Sequence, residues 1–246
     1  MTVYISADIH GDKNRIYDII TQLPHLSKED TVIIAGDASL EYGSYNMRST
    51  KKIMSDCSCN WLIMRGNHDN RYFENHFNDD NWHMDNTIYN MPVVIENKYP
   101  NIHYIWDTGG IYYNVAGNKI LFIPGAYSVD KDYKLLKGWP YTPREQLTEE
   151  EFTDLYDDFM ESDTAIDYVV SHTCPLQLEP HIRYLFMNDI DQSKVDKTTE
   201  KWLDKFYDQI IQEKPFKHWY FGHFHDTKQI NDKATMLYRR VKKLGE

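Results

Sequence analysis

The sequence predicts an α/β fold, and three observations predict it. Short apolar runs of four or five residues, often β-branched, recur along the chain, bounded by Gly, Asp or Asn and too short for helices. Segments with helical spacing separate the first three of them. The resulting order of strand, helix, strand, helix, strand is that of a parallel sheet with helices on its faces. Farther on, Gly109-Gly110 and Gly117-Asn118 punctuate apolar runs as antiparallel hairpins do, which calls for a second sheet.

Val3–Ala7 is the first strand and stops at Asp8-Ile9-His10-Gly11. Alternate side chains of a strand share a face, so Asp8 and His10 can point at one ion. Asp12 caps a helix over 13–23, in which Ile16, Ile19, Ile20 and Leu23 have helical spacing and which Pro24 ends. Thr31–Ala35 reads as a strand buried on both faces and ends at Gly36-Asp37. A helix follows around 46–56. Trp61–Met64 is the third strand and runs into Arg65-Gly66-Asn67-His68-Asp69. From Asn70 to about 100 the periodicity is lost. Ile102–Trp106, Ile111–Val115 and Lys119–Ile123 read as hairpin strands, closed by Pro124-Gly125-Ala126-Tyr127-Ser128. The segment up to 147, with Trp139-Pro140 and Pro143, reads as a surface loop. Thr148 and Glu151 form a capping box for a helix to about 160. Ala165–Val170 is a strand ending at Ser171-His172, and 175–195 is irregular. An amphipathic helix from Asp196 to about 211 carries Trp202, Leu203, Phe206 and Ile210. His218–Phe221 is a strand ending in Gly222-His223-Phe224-His225, and short strands at 227–230 and 235–241 close the chain. There is no repeat, low-complexity run or linker, so 1–246 reads as one domain.

The bulk composition narrows the function. At 41% hydrophobic and 26% charged residues, the 246-residue chain is ordinary for a globular protein. A net charge of −11 disfavours an extended nucleic-acid groove, which needs basic surface. It leaves room for a small phosphate ester held at a local cationic centre. No apolar run approaches the roughly 20 residues of a membrane span, and Met1 leads straight into a strand without a signal peptide. Cys57, Cys59 and Cys174 are too few and too odd for a disulfide framework, so the expectation is free thiols in a cytoplasmic protein.

Five strand ends carry Asp8 and His10, Asp37, Asn67 and His68, His172, and His223 and His225. Carboxyl ends of strands are where open α/β sheets place their sites. Any one of these would ordinarily be a hydrogen-bonded, inert residue. All five together are a ligand set for two divalent cations, without Cys, suited to Mn, Fe, Zn, Ni or Mg. Two such ions suit in-line displacement at phosphorus: a shared water loses a proton near neutral pH, and that hydroxide attacks. What metals cannot do is protonate the departing alkoxide. His68 is the candidate acid, with Asp69 to orient it and keep it protonated. The other six histidines, His25, His76, His83, His103, His181 and His218, fall in loops or mid-strand and read as structural or solvated.

Asp-x-His at 8–10, Gly-Asp at 36–37, Gly-Asn-His-Asp at 66–69, His172 and Gly-His-x-His at 222–225 resemble the five-part signature of the calcineurin-like metallophosphoesterase superfamily. The resemblance spans nearly the whole chain. It implies a four-layer α/β/β/α sandwich, two mixed sheets flanked by helices, with a dinuclear site at the sheet edges. It implies that Asp8, His10 and His225 bind one metal, that Asn67, His172 and His223 bind the other, that Asp37 bridges them, and that His68 is the leaving-group acid. Manganese is the expected ion in vitro. The hairpin region 109–128, with Gly-Ala-Tyr-Ser, is similar to what small bacterial and phage members carry.

One departure bears on the substrate. Phosphoprotein phosphatases of this superfamily continue Gly-Asp-x-x-Asp-Arg-Gly, and here the run is Gly36-Asp37-Ala38-Ser39-Leu40-Glu41-Tyr42-Gly43. Glu41 stands where that Arg would grip phosphate. Arg65 either binds the substrate phosphate or anchors the loop. The stretch 70–147 is expected to be a substrate-facing insertion. Its aromatics, Tyr72, Trp82, Trp106, Tyr127, Trp139 and Tyr141, either stack a nucleobase or bury as a satellite core. The reading is a metal-dependent phosphoesterase acting on a phosphomonoester or small phosphodiester. The alternatives are a non-catalytic scaffold of the same fold, and a nuclease, which the charge disfavours.

Overall fold

Parallel strands buried on both faces need helices on one side and a second layer on the other. The computed structural model, which describes residues 1–41, 47–139, 141–182 and 195–246, shows how this chain supplies both. Tyr42, Gly43, the expected helix start at 46, Pro140 and most of the irregular stretch 175–195 lie outside the described residues. So do the side chains of Ile111 and Ile210. In chain order the first half runs β1 (Val3–Ser6), α1 (Lys13–Gln22), β2 (Thr31–Ala35), α2 (Met47–Asp56), β3 (Asn60–Met64), α3 (Tyr72–His76), β4 (Trp82–Asp85), β5 (Val93–Glu96) and β6 (Ile102–Ile105). The second half runs β7 (Gly110–Val115), β8 (Asn118–Ile123), α4 (Lys131–Lys137), α5 (Glu149–Glu161), β9 (Tyr168–Ser171), a 3-10 turn at Leu176–His181, α6 (Thr198–Glu213), β10 (His218–Phe221), β11 (Lys228–Asn231), β12 (Ala234–Met236) and β13 (Lys242–Lys243).

These strands form two mixed sheets, ordered β13-β1-β2-β3-β6-β5-β4 and β11-β12-β10-β9-β8-β7. The centre of each is parallel and its edges are antiparallel. Strand alternation divides the apolar side chains into three cores, one per interface between four layers. Ile5, Ile33, Leu62 and Ile105 face Tyr113, Phe122, Val170 and Tyr220 between the sheets. Val32, Ile34, Trp61 and Ile63 pack on Ile16, Ile19 and Met54 of α1 and α2. Leu121, Val169, Trp219 and Phe221 pack on Phe152, Phe159, Leu203 and Phe206 of α5 and α6. The expected caps form: Asp12 accepts from Asn14 N at 2.9 Å, and Thr148 with Glu151 makes the capping box of α5. All three cysteines are free thiols, with Cys57 Sγ and Cys59 Sγ 3.4 Å apart.

Four expectations are corrected. Ile102–Trp106 supplies a hairpin strand as expected, antiparallel to β5, but in the first sheet and not the second: β6 also lies parallel to β3, Trp61 opposite Ile102, with both its faces buried as in a sheet interior. The stretch 70–100 is not irregular: it holds α3 and the antiparallel pair β4 and β5, of which β4 is a mostly exposed edge without apolar alternation. The surface loop before 147 contains α4, closed by Gly138 in the left-handed conformation at φ 63°. The last expected strand, 235–241, stops at Met236, and Lys242–Lys243 pairs with β1 instead. Of 70–147, the strands β4 to β8 are members of the two sheets, and Ser128 and Lys134 reach Asn67 and His68.

Candidate metal centre

The carboxyl ends of β1, β2, β3, β9 and β10 meet along one edge where the two sheets converge. Backbone hydrogen bonds link the loops: Asp8 N to Gly36 O at 3.1 Å, His10 N to Asp37 O at 2.9 Å, and Gly222 N to His172 O at 2.9 Å. Asp8, His10, Asp37, Ser39, His223 and His225 all have φ between 47° and 73°. Non-glycine residues rarely adopt this region, and clustered strain of this kind marks functional sites. Two glycines leave room for the side chains. A Cβ on Gly36, itself at φ 89°, would lie 2.0 Å from His172 Nδ1, and one on Gly66 would lie 2.1 Å from Asp37 Oδ1.

The side chains converge accordingly. His10 Nε2 and His225 Nε2 are 2.9 Å apart; His225 Nε2 is 3.8 Å from Asp8 Oδ1, and His10 Nε2 is 3.7 Å from Asp37 Oδ2. The other Asp37 oxygen lies 3.3 Å from His172 Nε2. Asn67 Oδ1 is 3.0 Å from His172 Nε2 and 3.1 Å from His223 Nδ1. Donor atoms of Asp8, His10 and His225 all lie within 4.8 Å of one another, as do those of Asp8, Asp37 and His172. Neighbouring groups orient two of the candidate ligands. His172 Nδ1 faces the Ala35 carbonyl at 2.9 Å, which turns Nε2 inward, and Asn67 Nδ2 donates to Ser128 Oγ at 2.9 Å, which turns Oδ1 inward.

The electrostatics suit a cation. Burial pushes the Asp8 carboxyl well above its usual range, against the pull of His172. Burial alone would raise Asp37 too, but His172, His68 and His10 hold it well below that range. His172 is raised to about 9 because Asp37 outweighs its burial. Burial pushes His223 well down, and burial with His10 pushes His225 to about 4, so both are neutral imidazoles, the form that ligates metal. Two carboxyl groups, four imidazoles and an amide oxygen aimed at one space fit divalent cations by donor chemistry.

Two expected roles change. Asp69 does not face the His68 ring. Its buried carboxylate accepts from Ala38 N, Ser39 N, Gly66 N and Tyr72 Oη at 3.2, 2.6, 2.7 and 2.9 Å. With two donors on each oxygen, it braces the loops after β2 and β3 from beneath. Arg65 is also buried, its guanidinium donating to the carbonyls of Asp107 at 3.3 Å, Arg144 at 3.4 Å and Glu145 at 2.6 Å. Burial beside Arg71 lowers its pKa to about 10. Of its two readings the anchor is the one observed. Glu41 pairs with Lys51. Tyr72 packs on Tyr104, Trp82 on His76 and Trp106 on Phe73, the satellite core, whereas Trp139 is exposed beside Tyr133.

Sequence reasoning missed Ser128 and Lys134. Ser128 holds Asn67, and Lys134 Nζ lies 3.2 Å and 3.4 Å from the two ring nitrogens of His68. Burial, with Lys134 and His10 adding to it, lowers the His68 pKa against the pull of Asp37. Nothing local marks either residue, since each belongs to a segment read as a turn or loop.

Two mixed sheets between helices, with Asp, His and Asn converging on their shared edge, define a metal-dependent hydrolase of ester bonds. The sequence pattern of the calcineurin-like phosphoesterases matches residues 1–227, and the chain belongs to that family. The fold is similar to the crystal structure of phosphopantetheinyl hydrolase from Mycobacterium tuberculosis, with 13% identity, a TM-score of 0.47, and coverage of 99% of this chain and 95% of that one. No functionally curated protein matches the sequence.

Proposed function

We propose that the chain hydrolyses a phosphomonoester or small phosphodiester at a two-ion centre. Asp8, His10 and His225 hold one ion, Asn67, His172 and His223 hold the other, and Asp37 is shared. The observation that carries this reading is Asp37: its two oxygens face opposite ways, Oδ2 3.7 Å from His10 Nε2 and Oδ1 3.3 Å from His172 Nε2. The ions supply Lewis acidity and lower the pKa of water. The chain's own residues orient the ligands through Ala35 and Ser128, exclude bulk water around Asp8 and Asp37, and place His68 to hand a proton to the leaving oxygen. Residues 124–147 face the substrate. Manganese is the ion we expect to support turnover, and the free thiols favour a reducing cytoplasm.

Elemental mass spectrometry of the purified protein should find about two divalent ions per chain. Turnover of p-nitrophenyl phosphate or its bis-ester should depend on added Mn²⁺. Asp37→Ala should lose both ions. An unchanged metal content in that variant sinks the shared-carboxylate role. A folded parent with no turnover of either ester in excess Mn²⁺ points to the scaffold.

A further inference from the structure

A site for phosphate esters needs fixed positive charge facing the phosphoryl oxygens. Arg65 is not placed to supply it, because the residue is buried and its Nε and Nη1 donate to backbone carbonyls. Lys134 is. It stands on α4 with a side chain only 4% exposed, and its Nζ lies 3.0 Å from Asp130 Oδ1 and 3.3 Å from Ser128 Oγ. The two His68 ring nitrogens are at 3.2 and 3.4 Å. Nearly equal distances put Nζ beside the ring and not along the lone pair of either nitrogen. Two of the three ammonium N–H groups have oxygen acceptors, and the third is turned to the His68 ring, where an entering phosphoryl oxygen can take it.

The position of this ammonium is built in. Ser128 Oγ accepts from both Lys134 and Asn67, which ties the ammonium to a ligand position through one hydroxyl. Ser128 N donates to Glu145 Oε1 at 2.8 Å, and Gly125 N donates to Arg65 O at 3.0 Å, which moors the segment to the end of β3. Trp139 N donates to Lys134 O at 2.9 Å and closes α4 over it. A buried cation held this way has little left to reorganise when substrate arrives.

We propose that Lys134 binds an unesterified oxygen of the substrate phosphoryl group and makes the site selective for phosphomonoesters over phosphodiesters. This rests on the phosphoesterase reading above. A monoester carries nearly two negative charges at neutral pH, because its second pKa is about 6. A diester carries one. A charge held out of water discriminates between the two more strongly than an exposed lysine does.

The test compares parent, Lys134→Met and Lys134→Arg, each loaded with Mn²⁺. Three quantities are measured: the Kd for inorganic phosphate by calorimetry, kcat/KM for p-nitrophenyl phosphate and its bis-ester, and bound metal. Lys134→Met should keep its metal and lose about 10- to 100-fold in phosphate affinity and monoester kcat/KM, the worth of a hydrogen bond to a charged group. Diester kcat/KM should fall distinctly less, because a diester has one unesterified oxygen and nearly one charge fewer, and Lys134→Arg should recover most of the loss. Equal losses on both esters, unchanged phosphate affinity, or loss of metal each overturn the proposal. If the parent hydrolyses the monoester and Lys134→Met matches it, Lys134 has no such role while the phosphoesterase reading stands. If the parent hydrolyses neither ester, that reading fails, and the phosphate affinities still judge Lys134.

Discussion

His68 and Asp69 are adjacent in sequence and differ in task. The Asp69 carboxylate is filled by Ala38 N, Ser39 N, Gly66 N and Tyr72 Oη, so it holds the loops that carry Asp37 and Asn67. The His68 ring stands in the site beside Lys134. The two should separate by leaving group. His68→Ala should keep its metal and lose about 100- to 10,000-fold in turnover, most on esters with poor leaving groups. Asp69→Asn should cost about 1–3 kcal/mol of stability, because an amide cannot accept what two carboxylate oxygens accepted. Its residual activity should show the parent's leaving-group dependence. Equal turnover of parent and His68→Ala on a poor leaving group refutes the acid role. A leaving-group trend in Asp69→Asn like that of His68→Ala restores Asp69 to the chemistry.

Helix α5 shows how an element is tied to the site from a distance. Glu151 closes its capping box and also takes Arg71 Nη1 and Nη2 at 2.7 and 3.0 Å. Arg71 and Arg65 share the Arg144 carbonyl, so this network continues to the loop after β3. Burial alone would raise Glu151, but Arg71, the Thr148 N–H and Arg144 lower it to about 2. A folded-state pKa below the unfolded value stabilises the fold above the ordinary carboxylate pKa, and that stability is lost as pH falls towards 2. Glu151→Gln should therefore melt below the parent at pH 7, by about 2–4 °C per kcal/mol lost. The gap should narrow as pH falls below about 4.5. A gap that is constant from pH 7 to pH 3 assigns the loss to packing and not to charge.

Across the whole molecule, the site is also a fastening. His223 N donates to both Asp8 oxygens at 3.1 and 3.0 Å, and His172 Nδ1 meets the Ala35 carbonyl, so the two sheets are joined at the candidate ligands. Cations that bind only the folded chain stabilise it by mass action, about 2.7 kcal/mol at 100 times Kd. Chelation should lower Tm by about 5–10 °C. Identical melting with and without chelator would show that the ligands hold the sheets together without the ions. Among the described residues no helix is long and apolar enough to cross a membrane.

The first three strands, the first two helices and the five strand ends that carry Asp, His and Asn into one place were legible in the residues, because each is a local pattern. A β-branched run makes a strand, and Gly-Asp or Gly-Asn-His-Asp ends it. The sheet to which β6 belongs was not legible, since Gly109-Gly110 announces a turn and not the partner beyond it. The tasks of Arg65 and Asp69 were hidden for a related reason. Burial and hydrogen-bond partners decide them, and those partners lie as far as 80 residues away in sequence for Arg65 and 31 for Asp69. Lys134 lies 66 residues from His68 and looks like any surface lysine until α4 folds over the site. Ligand identity is chemistry written locally. Which charges face the substrate, and which are buried as braces, follows from long-range packing that no short stretch of chain encodes.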